Sequence, residues 1–108
     1  MWRLVGPNNR VIGVSPGSFD TPDAAVEAAQ RVRDRAAGGA VTVQLDDRRR
    51  WCWSVTDDEL GLLAVSAHGY ERRATCETAV QRFTEGAATA RIDHAIGRRG
   101  RFWRPDTG

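Results

Sequence analysis

Residues 53–83 read WSVTDDELGLLAVSAHGYERRATCETAVQRF, and residues 2–32 read WRLVGPNNRVIGVSPGSFDTPDAAVEAAQRV. The two stretches align without a gap at a constant spacing of 51 positions, the distance from Trp2 to Trp53. Val14 meets Val65, Ser15 meets Ser66, Ala28 meets Ala79, Gln30 meets Gln81 and Arg31 meets Arg82. Similar side chains also pair: Leu4 with Val55, Val11 with Leu62, Ile12 with Leu63, Phe19 with Tyr70, Val32 with Phe83 and Val41 with Ile92. A repeat of this length is one supersecondary unit that buries its apolar face against its copy. The chain has 108 residues, and half of that is in the size range where a core is marginal, so the two halves are expected to share one interior.

In the first half, residues 2–5 form a strand with Trp2 and Leu4 on one face, and Gly6-Pro7-Asn8-Asn9 supplies a turn. Val11, Ile12 and Val14 make a second strand that is apolar on both faces, Pro16-Gly17 breaks it, and Phe19 marks a very short third strand. Thr21 caps a helix with Pro22 in its first position and Asp23 at the positive end of its dipole. Its apolar stripe runs Ala25, Ala28, Ala29, Val32, Ala36, and Gly38-Gly39 ends it. Val41, Val43 and Leu45 alternate with Thr42 and Gln44 in a fourth strand.

The second half repeats this order: a strand with Trp51, Trp53 and Val55 on one face, a turn at Asp57-Asp58-Glu59, a strand with Leu62, Leu63 and Val65, and Tyr70 in the place of Phe19. The second helix carries Cys76, Ala79, Val80, Phe83 and Ala87, the image of the first stripe. It starts either uncapped at Arg72-Arg73 or at a Thr75 cap, and Gly86 is its expected stop. Residues 90–94 are the last strand.

The expected fold is therefore α+β: two tandem β-β-β-α-β repeats forming one antiparallel-rich sheet, with both helices on one face. Residues 1–96 make a single domain of two repeats, 1–45 and 51–96, and residues 97–108 a basic aromatic tail that could be the vestige of a third copy's first strand.

The repeated order of a Trp strand, a turn, a strand ending in Val-Ser (Val14-Ser15 and Val65-Ser66), an aromatic residue and an amphipathic helix resembles the YegP-like family of small tandem-repeat proteins, a domain of unknown function. The residues that carry the resemblance are Trp2-Arg3-Leu4, Arg10-Val11-Ile12-Gly13-Val14-Ser15 and Phe19, then Trp53, Gly61-Leu62-Leu63-Ala64-Val65-Ser66 and Tyr70. It covers about residues 2–94 and implies exchanged C-terminal strands: residues 41–45 pair within the second copy, and residues 90–94 reciprocate. Asn8-Asn9-Arg10 stands where the family has an Asn-Gly turn. The resemblance implies no catalytic residue.

The net charge is only +2, so the molecule is not a polycation, although all 16 basic side chains are Arg. An all-Arg usage together with abundant Ala and Gly is what a GC-rich coding bias produces. No apolar run approaches the roughly 20 residues that span a bilayer, and the first residues lack a signal peptide's apolar core, so a cytoplasmic location is expected.

Cys52 and Cys76 have neither metal spacing nor disulfide density, and Cys76 lies on a helix stripe as a buried thiol would. His68 and His94 keep no regular spacing to them, so no metal, cofactor or catalytic constellation is expected. A deep polar pocket containing either histidine would favour an enzyme; a sheet face without any concavity would dismiss one. Asp57-Asp58-Glu59 reads as a solvated turn rather than a cation site.

In the tail, Arg98, Arg99, Arg101 and Arg104 interleave with Phe102 and Trp103. Either these aromatics fold back over the helix-free face of the sheet, or they stack on unpaired bases while the arginines, extended by Arg48, Arg49 and Arg50, contact phosphates. The expected function is thus a small non-enzymatic module that binds a protein partner or itself, with RNA or single-stranded DNA binding through the tail as the alternative.

Overall fold

The computed structural model describes residues 2–6, 10–88, 90–92 and 103–105, the last two stretches as backbone. In chain order the elements are β1 (Arg3–Val5), β2 (Val11–Val14), α1 (Pro22–Arg35) continued by a 3-10 turn (Ala36–Gly38), β3 (Ala40–Leu45), β4 (Trp51–Asp57), β5 (Gly61–Val65), α2 (Arg73–Ala88), β6 (Ala90–Ile92) and β7 (Trp103–Pro105). The fold is α+β. Among the described residues one sheet runs in the order β3-β4-β5-β2-β1-β7-β6, antiparallel except where β7 lies parallel to β1.

The seam between the halves is the β2–β5 pair, and its register partners are Val14 and Val65, which are 51 positions apart. Further features recur at that spacing. The β1–β2 pair slips register between Leu4 and Val5, and the β4–β5 pair slips between Val55 and Thr56, so Ile12 and Leu63 are the extra residues of two matching bulges. Trp2 N–H donates to Ser15 Oγ at 3.2 Å, and Trp53 N–H to Ser66 Oγ at 3.4 Å. Ser15 N–H returns to the Trp2 carbonyl at 3.1 Å, and Ser66 N–H to the Trp53 carbonyl at 3.0 Å.

Each helix packs on strands of the other half: α1 over β5 and β6, α2 over β2 as well as β3 and β4. Both stripes enter one core. Ala25, Ala29, Val32 and Ala36 are buried with Cys76, Val80, Phe83 and Ala87, against Trp2, Leu4, Trp53 and Val55. Phe83 stacks on Trp2 at 6.2 Å and tilts against Trp53 at 4.8 Å, so one ring from the second half joins the tryptophans of both. With a radius of gyration of 13.0 Å, about what a single body of this length has, the halves are not separate lobes.

The helix starts follow local chemistry. Thr21 Oγ1 accepts from Ala24 N–H at 3.1 Å and Pro22 opens α1. The second helix begins at Arg73 rather than at a Thr75 cap, its Cys76 N–H donating to the Arg72 carbonyl at 3.2 Å.

Several expectations need correction. Gly86 does not stop α2, which runs on to Ala88: Gly86 is half-buried, and a Cβ on it would lie 3.9 Å from both Ile12 and Leu4, so tertiary packing outweighs the glycine's weak helix propensity. The third strand reduces to one antiparallel bridge between Tyr70 and Trp51, and Phe19 is in no strand, because a segment enclosed by Pro16-Gly17 is too short to build a ladder. The β3 strand does pair with β4, across the halves. Its reciprocal does not form directly, since β7 lies between β1 and β6; residues 93 and 94 lie outside the described residues. Residues 103–105 therefore run inside the sheet instead of lying across its helix-free face.

Among the residues with described side chains, no tryptophan lies on that face. Trp2 and Trp53 are buried on the helix side, and Trp51 shares their side with the Arg73 guanidinium 5.4 Å from its ring centroid. By alternation, Cys52, Ser54 and Thr56 point the other way, beside their partners Thr42, Gln44 and Val65.

Candidate functional site: a cleft under the second helix

Among the described residues a concavity of about 1030 Å³ lies between α2 and the strand β2 of the other half. Its floor is apolar: Val11 and Ile12 come from β2, and Ala79 from the stripe of α2. Arg10, just before β2, lines one wall, and Arg82 with Glu85 lines the helix wall. His68 and Tyr70, on the loop between β5 and α2, close one end with rings 4.5 Å apart. The loop is held by the Tyr70 bridge, in which the Trp51 and Tyr70 N–H groups each donate to the other's carbonyl at 2.7 and 2.8 Å. The His68 ring faces its own chain, with Nδ1 3.0 Å from the Gly69 carbonyl oxygen. Burial pushes the Tyr70 phenol above its ordinary ionisation range, with the neighbouring Cys76 adding to the shift, so it stays a neutral hydrogen-bonding group. Cys76 is itself fully buried, and that burial raises its thiol too.

A second cleft lies in the matching place under α1, at about 290 Å³. Ala28 and Arg31 stand there for Ala79 and Arg82, Phe19 for Tyr70, and Leu62 and Leu63 for Val11 and Ile12. Leucines stand at its mouth, and residue 9, the counterpart of Leu60, lies outside the described residues. Leu60 and Leu62 crowd its mouth while remaining 44% and 48% exposed, and on the other side Leu62 is replaced by the shorter Val11. The spacing of 51 was the sequence signal that could have pointed to this difference: at cleft positions the second helix's site replaces Phe by Tyr and Leu by Val. Arg10 and Arg82 carried no signal of their own.

Of the arginines singled out in the sequence, Arg48, Arg49 and Arg50 are described in full and Arg104 as backbone. Arg48, Arg49 and Arg50 form the exposed β3–β4 turn, where Asp46 accepts from the N–H groups of Arg48 at 2.8 Å and Arg50 at 2.9 Å. Trp103 and Arg104 are in β7, four strands away from β4, or roughly 19 Å across the sheet. Arg98, Arg99, Arg101 and Phe102 lie outside the described residues, as does His94. The acidic turn is met by α1, whose Arg35 lies 3.7 Å from Asp57 and 3.4 Å from Glu59. Among the described residues no group of His, Cys, Asp and Glu is placed to hold a metal ion, and no helix is long and apolar enough to cross a membrane.

Comparison of the chain with protein-family models, curated proteins and solved structures finds no match.

Proposed function

We propose that the chain is a small non-enzymatic binding module, built from two copies of one YegP-like unit, whose ligand seat is the cleft under α2. The matching bulges, the paired Trp–Ser hydrogen bonds and the Val14–Val65 seam support the tandem reading. The observation that carries the binding role is the inequality of the two clefts: one crowded by leucines, its counterpart open on an apolar floor. A concave apolar surface with a few polar groups converging on it is how ligand sites are ordinarily built.

The closed cleft indicates what suits the open one, namely a branched aliphatic side chain. Arg82 on the helix wall adds a preference for a carboxylate beside it, since charge-assisted hydrogen bonds to guanidinium are among the stronger polar contacts. An acidic, leucine-bearing segment of a partner protein meets both conditions.

The test is a titration of labelled protein with the peptide acetyl-Asp-Leu-Leu-Asp-amide, followed by backbone amide NMR. Shifts clustered at Val11, Tyr70, Ala79 and Arg82 are expected, with Arg82→Glu weakening binding roughly tenfold and Ala79→Trp blocking it. A peptide that moves no cleft resonance at millimolar concentration, or moves α1 and the sheet instead, overturns the assignment.

A further inference from the structure

The two ends of the sheet are unlike. At one end, the described part of β6 is Ala90–Ile92, with an arginine, Arg91, in its sequence. At the other end β3 is six residues, Ala-Val-Thr-Val-Gln-Leu, with no charged side chain and no proline. Among the described residues it is paired on one side only, with β4, so alternate residues turn their N–H and C=O groups outward.

Val41, Val43 and Leu45 all point to the helix side, being the register partners of Val55, Trp53 and Trp51. Neither helix covers their outer flank: Val41 is 48% and Leu45 51% exposed, although their counterpart positions across the ladder lie in or against the core. Beside them, a groove of about 630 Å³ separates β3 from α2, with Val80 at its floor and the ion-paired Arg73 and Glu77 on its rim.

We infer that this edge is a homodimer interface, in which β3 pairs antiparallel with β3 of a second copy to make one continuous sheet across two chains. A second copy fits better than an unrelated strand for three reasons. An uncharged strand meets its own image without like-charge repulsion. Centred on Val43, an antiparallel register sets Val41 of each copy against Leu45 of the other, so all the apolar side chains of the edge meet on the helix side. The groove rim carries one charge of each sign, so two identical rims do not repel. Because a two-fold β3–β3 pair uses up this edge in both copies, assembly through it closes as a dimer.

Light scattering coupled to size exclusion should give twice the 11.9 kDa chain mass at high protein concentration. The double variant Val41→Lys with Leu45→Lys should return the single-chain mass with an unchanged circular dichroism spectrum, while Leu60→Lys with Leu62→Lys, at the other exposed leucines, should leave the dimer intact. Hydrogen exchange on the unaltered protein provides a readout that does not depend on a variant's folding: outward-pointing β3 amides should be protected at high concentration and lose protection on dilution. A single-chain mass at millimolar concentration, a dimer that survives the lysines, or β3 exchange that ignores concentration would each overturn the inference.

Discussion

Gly13 shows how tightly single residues are constrained in the shared core. It is buried opposite Leu4, and a Cβ placed there would run into the Phe83 ring and come within 2.9 Å of the Trp53 ring. Neither ring has room to retreat, because Phe83 is fully buried against the indoles of Trp2 and Trp53. At the corresponding positions of the other half are Ala64 and Val32, one methyl larger in the strand and a ring smaller in the helix. Gly13→Ala is therefore expected to cost about 1–3 kcal/mol through overpacking, and Phe83→Val to cost stability through a cavity. The double variant should lose less than the sum of the two, a coupling that a double-mutant denaturation cycle measures directly. Additive losses would mean that the two positions do not share space. The thiols divide in the same residue-by-residue way. Cys52 is half-buried on the helix-free face, whereas Cys76 is fully buried and its ionisation is disfavoured. Intact-mass measurement after alkylation should find one adduct on the native protein, at Cys52, and two in denaturant.

At the scale of elements, two aspartates organise the turns on either side of β4. Hydrogen bonds from backbone N–H groups, Arg50 foremost, hold the Asp46 carboxyl below the usual carboxylate range, and those of Leu60 and then Glu59, with help from Arg35, do the same for Asp57. A carboxyl with a lowered ionisation point in the fold contributes stability that is full above its ordinary value and disappears as pH falls through the lowered one. Replacing both by Asn should leave the denaturation midpoint less sensitive to acidification below about pH 4 than that of the unaltered protein; an identical acid profile would show that neither turn contributes. The same β3–β4 turn holds Arg49 at a φ of 61°, a left-handed backbone that costs a residue with a Cβ roughly 1 kcal/mol. Gly61 occupies the comparable conformation of the β4–β5 turn, at φ 80°, as a glycine. Arg49→Gly should raise the melting temperature slightly, since removing that strain exceeds the entropy glycine adds to the unfolded chain. Here local chemistry was only partly readable in advance. The Thr21 cap and both stripes follow from spacing alone. The run of α2 past Gly86 depends on what Gly86 touches, and that the Tyr70 segment keeps one bridge depends on Trp51 lying opposite.

At the scale of the whole molecule, the periodicity and the spacing of 51 were enough to put Trp2 with Leu4 on one strand face, Trp53 with Val55 on the matching face of the second copy, and both helices on one side of a shared sheet, but not to say that the tryptophans face the helices. Strand order was not recoverable in the same way, because alternation states which way a side chain points but not which strand is its neighbour. The open cleft was hidden for a related reason: its volume comes from Val11 and Ala79 being brought together from opposite halves, and no local window contains both. That cross-packing has a direct consequence for folding. The first helix lies over β5 and β6, the second over β2 as well as β3 and β4, and the β3 edge is completed by β4, so each half leaves its apolar face without the surface it needs. A chain of about 50 residues with such a face exposed falls below the size at which a core sustains itself. Residues 1–50 and 51–108 produced separately should each lack a cooperative thermal transition, and mixing them should restore helical circular dichroism together with quenching or shift of Trp fluorescence as Trp2 and Trp53 close on Phe83. In the intact chain, fluorescence and circular dichroism should report one coincident transition. A half that melts cooperatively on its own, or two resolved transitions in the whole protein, would show that the halves have separate interiors after all.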